Sequence, residues 1–137
     1  MLLDLIFLVL ISVLFFLRDK NRCGVGDGVL FLHHFVNLFI NFGWLSGNFY
    51  TLLLYAFAPL VTLVHWLTNN GKCILSVRHN ELCGRPSNVP FDDFWNQLGL
   101  KKYGWWNHFG HYVLLAALFT MTWYKLRKWR LRRSFVY

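Results

Sequence analysis

Acidic side chains are scarce in this 137-residue chain: six Asp and Glu stand against 14 Lys and Arg, and charged residues make up only 15% of the whole. A soluble domain is ordinarily about a quarter charged. From Val29 through Leu67 the shortage becomes complete, with no Lys, Arg, Asp or Glu. The same stretch therefore lacks the carboxylates that a di-iron bundle, an intramembrane proton relay or a paired-carboxylate hydrolase requires. Other signatures are absent too. There is no Cys-x-x-Cys, no Gly-x-Ser-x-Gly and no His-Glu-x-x-His, which removes the usual thiol-oxidoreductase, serine-hydrolase and zinc-protease readings. The glycines of Cys23-Gly24-Val25-Gly26-Asp27-Gly28 lack a following Lys-Ser/Thr pair, so they read as a flexible link and not a phosphate cradle. No enzyme, no cofactor and no metal site is expected.

Hydrophobic residues are plentiful, at 56%, with aromatics at 20%. They come in blocks, and blocks of this length read as membrane helices. The first block, near residues 2–17, is interrupted only by Asp4 and ends at Arg18-Asp19-Lys20-Asn21-Arg22. It has no basic segment before it and no small-residue cleavage pattern after it, so a transmembrane helix is preferred over a signal peptide. A single helix over Val29–Leu67 would run to about 58 Å, nearly twice the roughly 30 Å hydrocarbon core. It must turn back. Gly43-Trp44-Leu45-Ser46-Gly47-Asn48 supplies the break, which predicts a hairpin of helices at 29–45 and 49–67. Pro59 falls inside the second of these and should kink it. His65 and Trp66 suit a headgroup interface, and Asn69-Asn70-Gly71 is turn chemistry that ends the helix.

Residues 68–104 form the long polar loop. Ile74-Leu75-Ser76-Val77 could be a short strand or lie on the membrane surface. Phe91, Phe94, Trp95 and Leu98 make one apolar stripe on a short helix begun by Asp92-Asp93, a surface for lipid or a partner. Cys73 and Cys83 share the loop and could be bonded, adding about 2–3 kcal/mol through loop closure; two reduced thiols are the other reading. The last block, 105–124, has Trp105-Trp106 at one end and Trp123-Tyr124 at the other, the aromatic-belt pattern of one full span. Lys125, Arg127, Lys128, Arg130, Arg132 and Arg133 follow as a basic tail. Its expected partner is anionic lipid; phosphate contacts of such a tail would carry no sequence information, so no sequence-specific nucleic-acid binding is expected. The tail favours both chain ends on the inner side of the membrane.

The expected fold is thus an all-α membrane protein: one multi-pass domain over residues 1–137, with four transmembrane helices, a hairpin formed by the second and third, and a long polar loop before the fourth. His33, His34, His65, His108 and His111 raise haem ligation as an alternative, although most of them fall near expected interfaces, where an amphipathic ring is at home. His65-Trp66-x-x-Asn69-Asn70-x-x-Cys73-x-Leu75-Ser76, then Leu82-Cys83-Gly84 and Leu98-Gly99-Leu100, resembles small multi-pass membrane proteins of large double-stranded DNA viruses of the giant-virus group. Phe42-Gly43-Trp44 and Pro59 are similar in placement. The resemblance spans roughly residues 29–120 and implies a structural protein of the virion's internal membrane, a minor capsid protein linking that membrane to capsid or neighbouring membrane proteins. An accessory subunit of an energy-converting complex in an organellar inner membrane is the competing structural reading.

Overall fold

The computed structural model describes residues 2–87, 89 and 110–134, with the side chains of 2–3 and 131–134 outside that description. Among the described residues the chain is all-helical, without a strand. Its helices are α1 (Leu2–Arg18), α2 (Asp27–Phe42), α3 (Phe49–Thr68), α4 (Ile74–Leu82) and α5 (His111–Ser134), with a 3-10 turn at Gly43–Leu45. Among the described residues, two stretches, Asp27–Leu45 and Phe49–Thr68, are long and apolar enough to cross a membrane.

The break between α2 and α3 falls where glycine and asparagine place it. Gly43 sits so close to the Tyr55 ring that a Cβ there would collide with it. Asn48 is extended, and its side-chain carbonyl accepts from the backbone N–H groups of Tyr50 (3.0 Å) and Thr51 (3.2 Å). It thus satisfies two of the donors left over at a helix start. α3 continues through Pro59. It ends in a Schellman arrangement: Asn70 and Gly71 both take positive φ (51° and 73°), and the Gly71 N–H donates to the Trp66 carbonyl at 2.8 Å. Asparagine, which tolerates the left-handed region, occupies the position expected of the glycine, with Gly71 one residue beyond.

Two helix pairs make the bundle. α1 packs on α2 through Phe16–Phe31 and Phe15–His34 ring contacts. α3 packs on α5 in antiparallel fashion: Phe49 meets Trp129 at one end and Trp66 meets His111 at the other. Leu52, Ala56 and Leu126 form the buried contact of that pair, with Phe49 packed against it. Tyr55 joins the pairs. Its ring is edge-on to Phe39 and its hydroxyl donates to the Ile40 carbonyl.

The turn between α2 and α3 is fastened from both pairs. Ser46 donates to Asp4 at 2.6 Å, so α1 is tied here by its first turn. Lys125 donates to the carbonyls of Trp44 (2.8 Å) and Ser46 (3.4 Å), with its ammonium 5.7 Å from the Trp44 ring centre. Lys125, the first of the expected membrane-surface charges, thus clamps this turn to α5, which remains helical and docked on α3 through Leu126 and Trp129. Arg127, Lys128 and Arg130 lie on the same continuous helix, while the side chains of Arg132 and Arg133 lie outside the description. The stripe Phe91, Phe94, Trp95, Leu98 and the Trp105-Trp106 and His108 positions lie outside the described residues.

Candidate functional site

The most densely connected polar region is a cap at the opposite end, built on the first turns of α2. The loop after α1 supplies Asp19, Asn21, Arg22 and Cys23. α4 and the segment after it supply His79, Asn80, Cys83 and Arg85. α2 rises between them with Gly26, Asp27, His33 and His34.

Local chemistry shapes the loop first. The Asp27 carboxylate accepts from the N–H groups of Cys23 (2.9 Å) and Gly24 (3.1 Å) and pairs with Arg22 at 3.5 Å. Gly24 takes positive φ (78°), completing the turn into α2. The guanidinium of Arg22 stacks 4.8 Å above the Phe16 ring. Farther in, Asp19 and His34 meet at 2.8 Å with almost no exposure of either side chain. Asp19 also accepts from the Asn21 backbone and side-chain N–H groups, both at 2.8 Å. Burial alone would push the Asp19 carboxyl up, but the bonds from His34 and Asn21 outweigh it and hold the group below its ordinary 3.8. Asn21 in turn accepts from Arg85 at 2.9 Å, and Asn80 donates to the Val89 carbonyl at 2.9 Å. A chain of polar contacts therefore runs from the end of α1 to the far side of α4.

α4 is helical and not a strand, and it folds back onto α2. Its start is capped from a distance: the Ile74 N–H donates to His65 Nε2 at 3.0 Å. His65, expected at the headgroup level only for its amphipathic ring, thus connects the end of α3 to the start of α4. Cys73 lies 3.7 Å from His33 Nδ1.

The disulfide differs from the expected one. Cys83 is bonded to Cys23, 60 residues earlier, and Cys73 is the free thiol. The reason is helical: α4 sets Cys73 before its first turn and Cys83 after its last, so the two face different neighbours. His79, one turn before Cys83, is fully buried, with Nε2 3.3 Å from the Cys83 sulfur. Burial, and then the nearby Arg85 charge, lower its pKa from 6.5, so the neutral ring with its lone pair is favoured. Cys23, His79 and Cys83 present ligand-type atoms all within 4.8 Å of one another. Gly26 keeps that space open: a Cβ there would lie 2.7 Å from the His79 ring, 2.8 Å from the Cys83 sulfur and 3.1 Å from the Cys23 sulfur.

No family model, characterised protein or solved structure matches this chain. The site must be read from its own geometry. The sequence did carry one unused signal for it. His79-x-x-x-Cys83 places a histidine and a cysteine four apart, hence on one face of a helix. Cys23 and Asp19 had no such local marker.

Proposed function

We propose that this is a structural, multi-pass integral membrane protein in which α1, α2, α3 and α5 all span or line the bilayer and the α4 cap stands outside it. The supporting observation is an inverted distribution of polarity. Among the described residues, buried polar side chains are as numerous as buried apolar ones, while the outward faces of α1, α3 and α5 carry large apolar groups such as Phe7, Leu10, Leu54, Val61, Val113 and Trp123. Water would penalise that surface, and a soluble monomer rarely exposes contiguous apolar patches beyond a few hundred Å². Lipid would not penalise it. Several helix hydroxyls suit lipid as well: Ser12, Thr62 and Thr122 each donate to the carbonyl four residues earlier, so these three need no water.

A scaffolding role fits a molecule whose polar contacts join helix to helix. Asp19–His34, Asp4–Ser46 and Lys125–Trp44 each hold two segments in register. Within this role, the sequence resemblance favours a place in the internal membrane of a large DNA virus particle, linking it to capsid or to neighbouring membrane proteins. Glycosylation tags test the topology: tags at residues 1 and 137 should be modified on one side of the membrane, and tags at 24 or 71 on the other. Tags at 24 and 71 reporting opposite sides would overturn it. Extraction of the protein by alkaline carbonate would overturn the integral-membrane reading itself. Purification of intact assemblies in mild detergent identifies the neighbours, and a Soret band in the pure protein would replace the structural role by a haem-bearing one.

A further inference from the structure

We propose that Cys23, His79 and Cys83, in the dithiol state of the protein, form a binding site for a soft divalent cation of the Zn²⁺ class, and that the disulfide and the cation are alternative occupants of this one site. Three features carry the inference. The first is donor type. Two thiolates and a neutral imidazole are the ligand set that such ions select over hard oxygen-seeking cations.

The second is geometry. Metal–sulfur and metal–nitrogen bonds of about 2.3 and 2.0 Å at a tetrahedral centre put sulfur and nitrogen about 3.5 Å apart. His79 Nε2 lies 3.3 Å from the Cys83 sulfur, close to that spacing. Cys23 and Cys83 have Cα atoms 5.8 Å apart, which lets their sulfurs swing from bonding distance to the edge of a tetrahedron by side-chain rotation.

The third is the surroundings. The Gly26 N–H donates to the Cys23 sulfur at 3.3 Å. Gly26 precedes the first turn of α2, and a helix N-terminus stabilises the thiolate over the thiol. The absent Cβ at Gly26 leaves the space beside both sulfurs clear. Three protein ligands leave a fourth position for water or an incoming group.

The interconversion balances. A dithiol reductant attacks the Cys23–Cys83 bond by thiol–disulfide exchange and leaves as its own disulfide; the two electrons reside on the two protein sulfurs. Each thiol loses a proton as it binds the cation, and His79 contributes its Nε2 lone pair. The cation keeps its charge throughout. Oxidation by an exogenous disulfide reverses the process and releases it.

The test uses the full chain in detergent, reduced with a phosphine and titrated with Co²⁺ as a spectroscopic stand-in for Zn²⁺. One Co²⁺ per chain should bind, with thiolate-to-cobalt charge transfer and intense tetrahedral ligand-field bands that Zn²⁺ abolishes. The unreduced protein should show neither. Cys83→Ser should lose the bands. His79→Ala should weaken binding by more than the roughly 10- to 100-fold typical of a lost second-shell contact. Cys73→Ser should bind as the parent does, and it guards against a variant that simply misfolds. Absence of charge transfer in the reduced parent chain overturns the proposal. So does equal affinity in the His79→Ala protein, or loss of binding in Cys73→Ser, which would place the thiolate elsewhere.

Discussion

Cutting the Cys23–Cys83 bond should loosen the cap without dissolving the bundle. In a freely unfolding chain, a cross-link between residues 60 apart removes loop entropy worth about 4 kcal/mol. That figure overstates the case if α1, α2 and α3 stay in the membrane when the cap opens. The free segment then runs only from the end of α3 at Thr68 to Cys83, and closing a loop of that length is worth about 3 kcal/mol. Opening should therefore become roughly 100-fold more frequent, at about 1.4 kcal/mol per tenfold. The perturbation is Cys23→Ser, which removes the bond but leaves the contact between His79 and Cys83 in place. Measurements in the presence of a chelator keep the cation proposed above out of the comparison. The assay is native-state hydrogen exchange on the α4 amides, for example the Cys83 N–H that donates to the His79 carbonyl at 2.9 Å. Exchange there should rise about 100-fold, in line with the loop-closure figure, while amides in the middle of α1 and α3 hold their parent rates. Unchanged exchange in α4 would refute the reasoning, since the cap would then be held by its other contacts, such as Asn21–Arg85 and His65–Ile74. A uniform rise across all helices would refute it differently, by showing that cap and bundle open as one unit.

Acid should weaken the cap in two stages. The folded state disfavours protonated His79, so below about 6.5 the unfolded chain takes up a proton that the folded chain resists, and stability falls as pH falls; His79→Gln should flatten this part of a melting-temperature profile. Asp19 acts lower: its carboxyl is held below 3.8, so its contribution is complete above that value and is lost as pH drops through the folded-state pKa, and Asp19→Asn should abolish that loss. Lys125→Met should destabilise the protein in detergent by about 1.5–3 kcal/mol, the value of a hydrogen bond to a charged group, whereas Gln at Arg127, Lys128 and Arg130 together should leave unfolding unchanged and weaken binding to anionic vesicles; equal effects from the two variants would return Lys125 to the tail. Gly43→Ala should cost about 1–3 kcal/mol by overpacking, because the new methyl meets the Tyr55 ring and lies 3.2 Å from Phe39, and chemical unfolding of the pure protein measures it.

Most of the elements were legible in the chain, α4 excepted: its Ile74-Leu75-Ser76-Val77 start, expected as a strand or a surface stretch, is helical. Helix composition, the break at Gly43–Asn48 and the stop at Asn69-Asn70-Gly71 are governed by residues within a turn or two of each other. α3 accordingly falls at Phe49–Thr68, against an expected 49–67, and α2 ends in the 3-10 turn that finishes at Leu45. Apolar blocks announced helices but not how many cross a membrane: two stretches have the length and composition to do so, and α5 runs through Lys125 and beyond without a break, because basic residues end a hydrophobic stretch without ending a helix.

Pairings between distant residues were another matter. Cys23 had three possible fates in the sequence, and nearness along the chain favoured Cys73 for Cys83. Only the fold of α4 onto α2 brings Cys23 to Cys83 and leaves Cys73 beside His33. The same is true of Asp19 with His34, Asp4 with Ser46, His65 with Ile74 and Lys125 with Trp44. Locally, His65 reads as an interfacial ring and Lys125 as a tail charge, and nothing beside Asp4 or Asp19 in the chain marks its partner. Periodicity and turn chemistry act over one or two helical turns, so the sequence by itself determined where helices form and stop. Which helix ends share a level, and so which polar groups must satisfy one another away from water, depends on the antiparallel packing of whole helices, and that was decided by the tertiary structure alone.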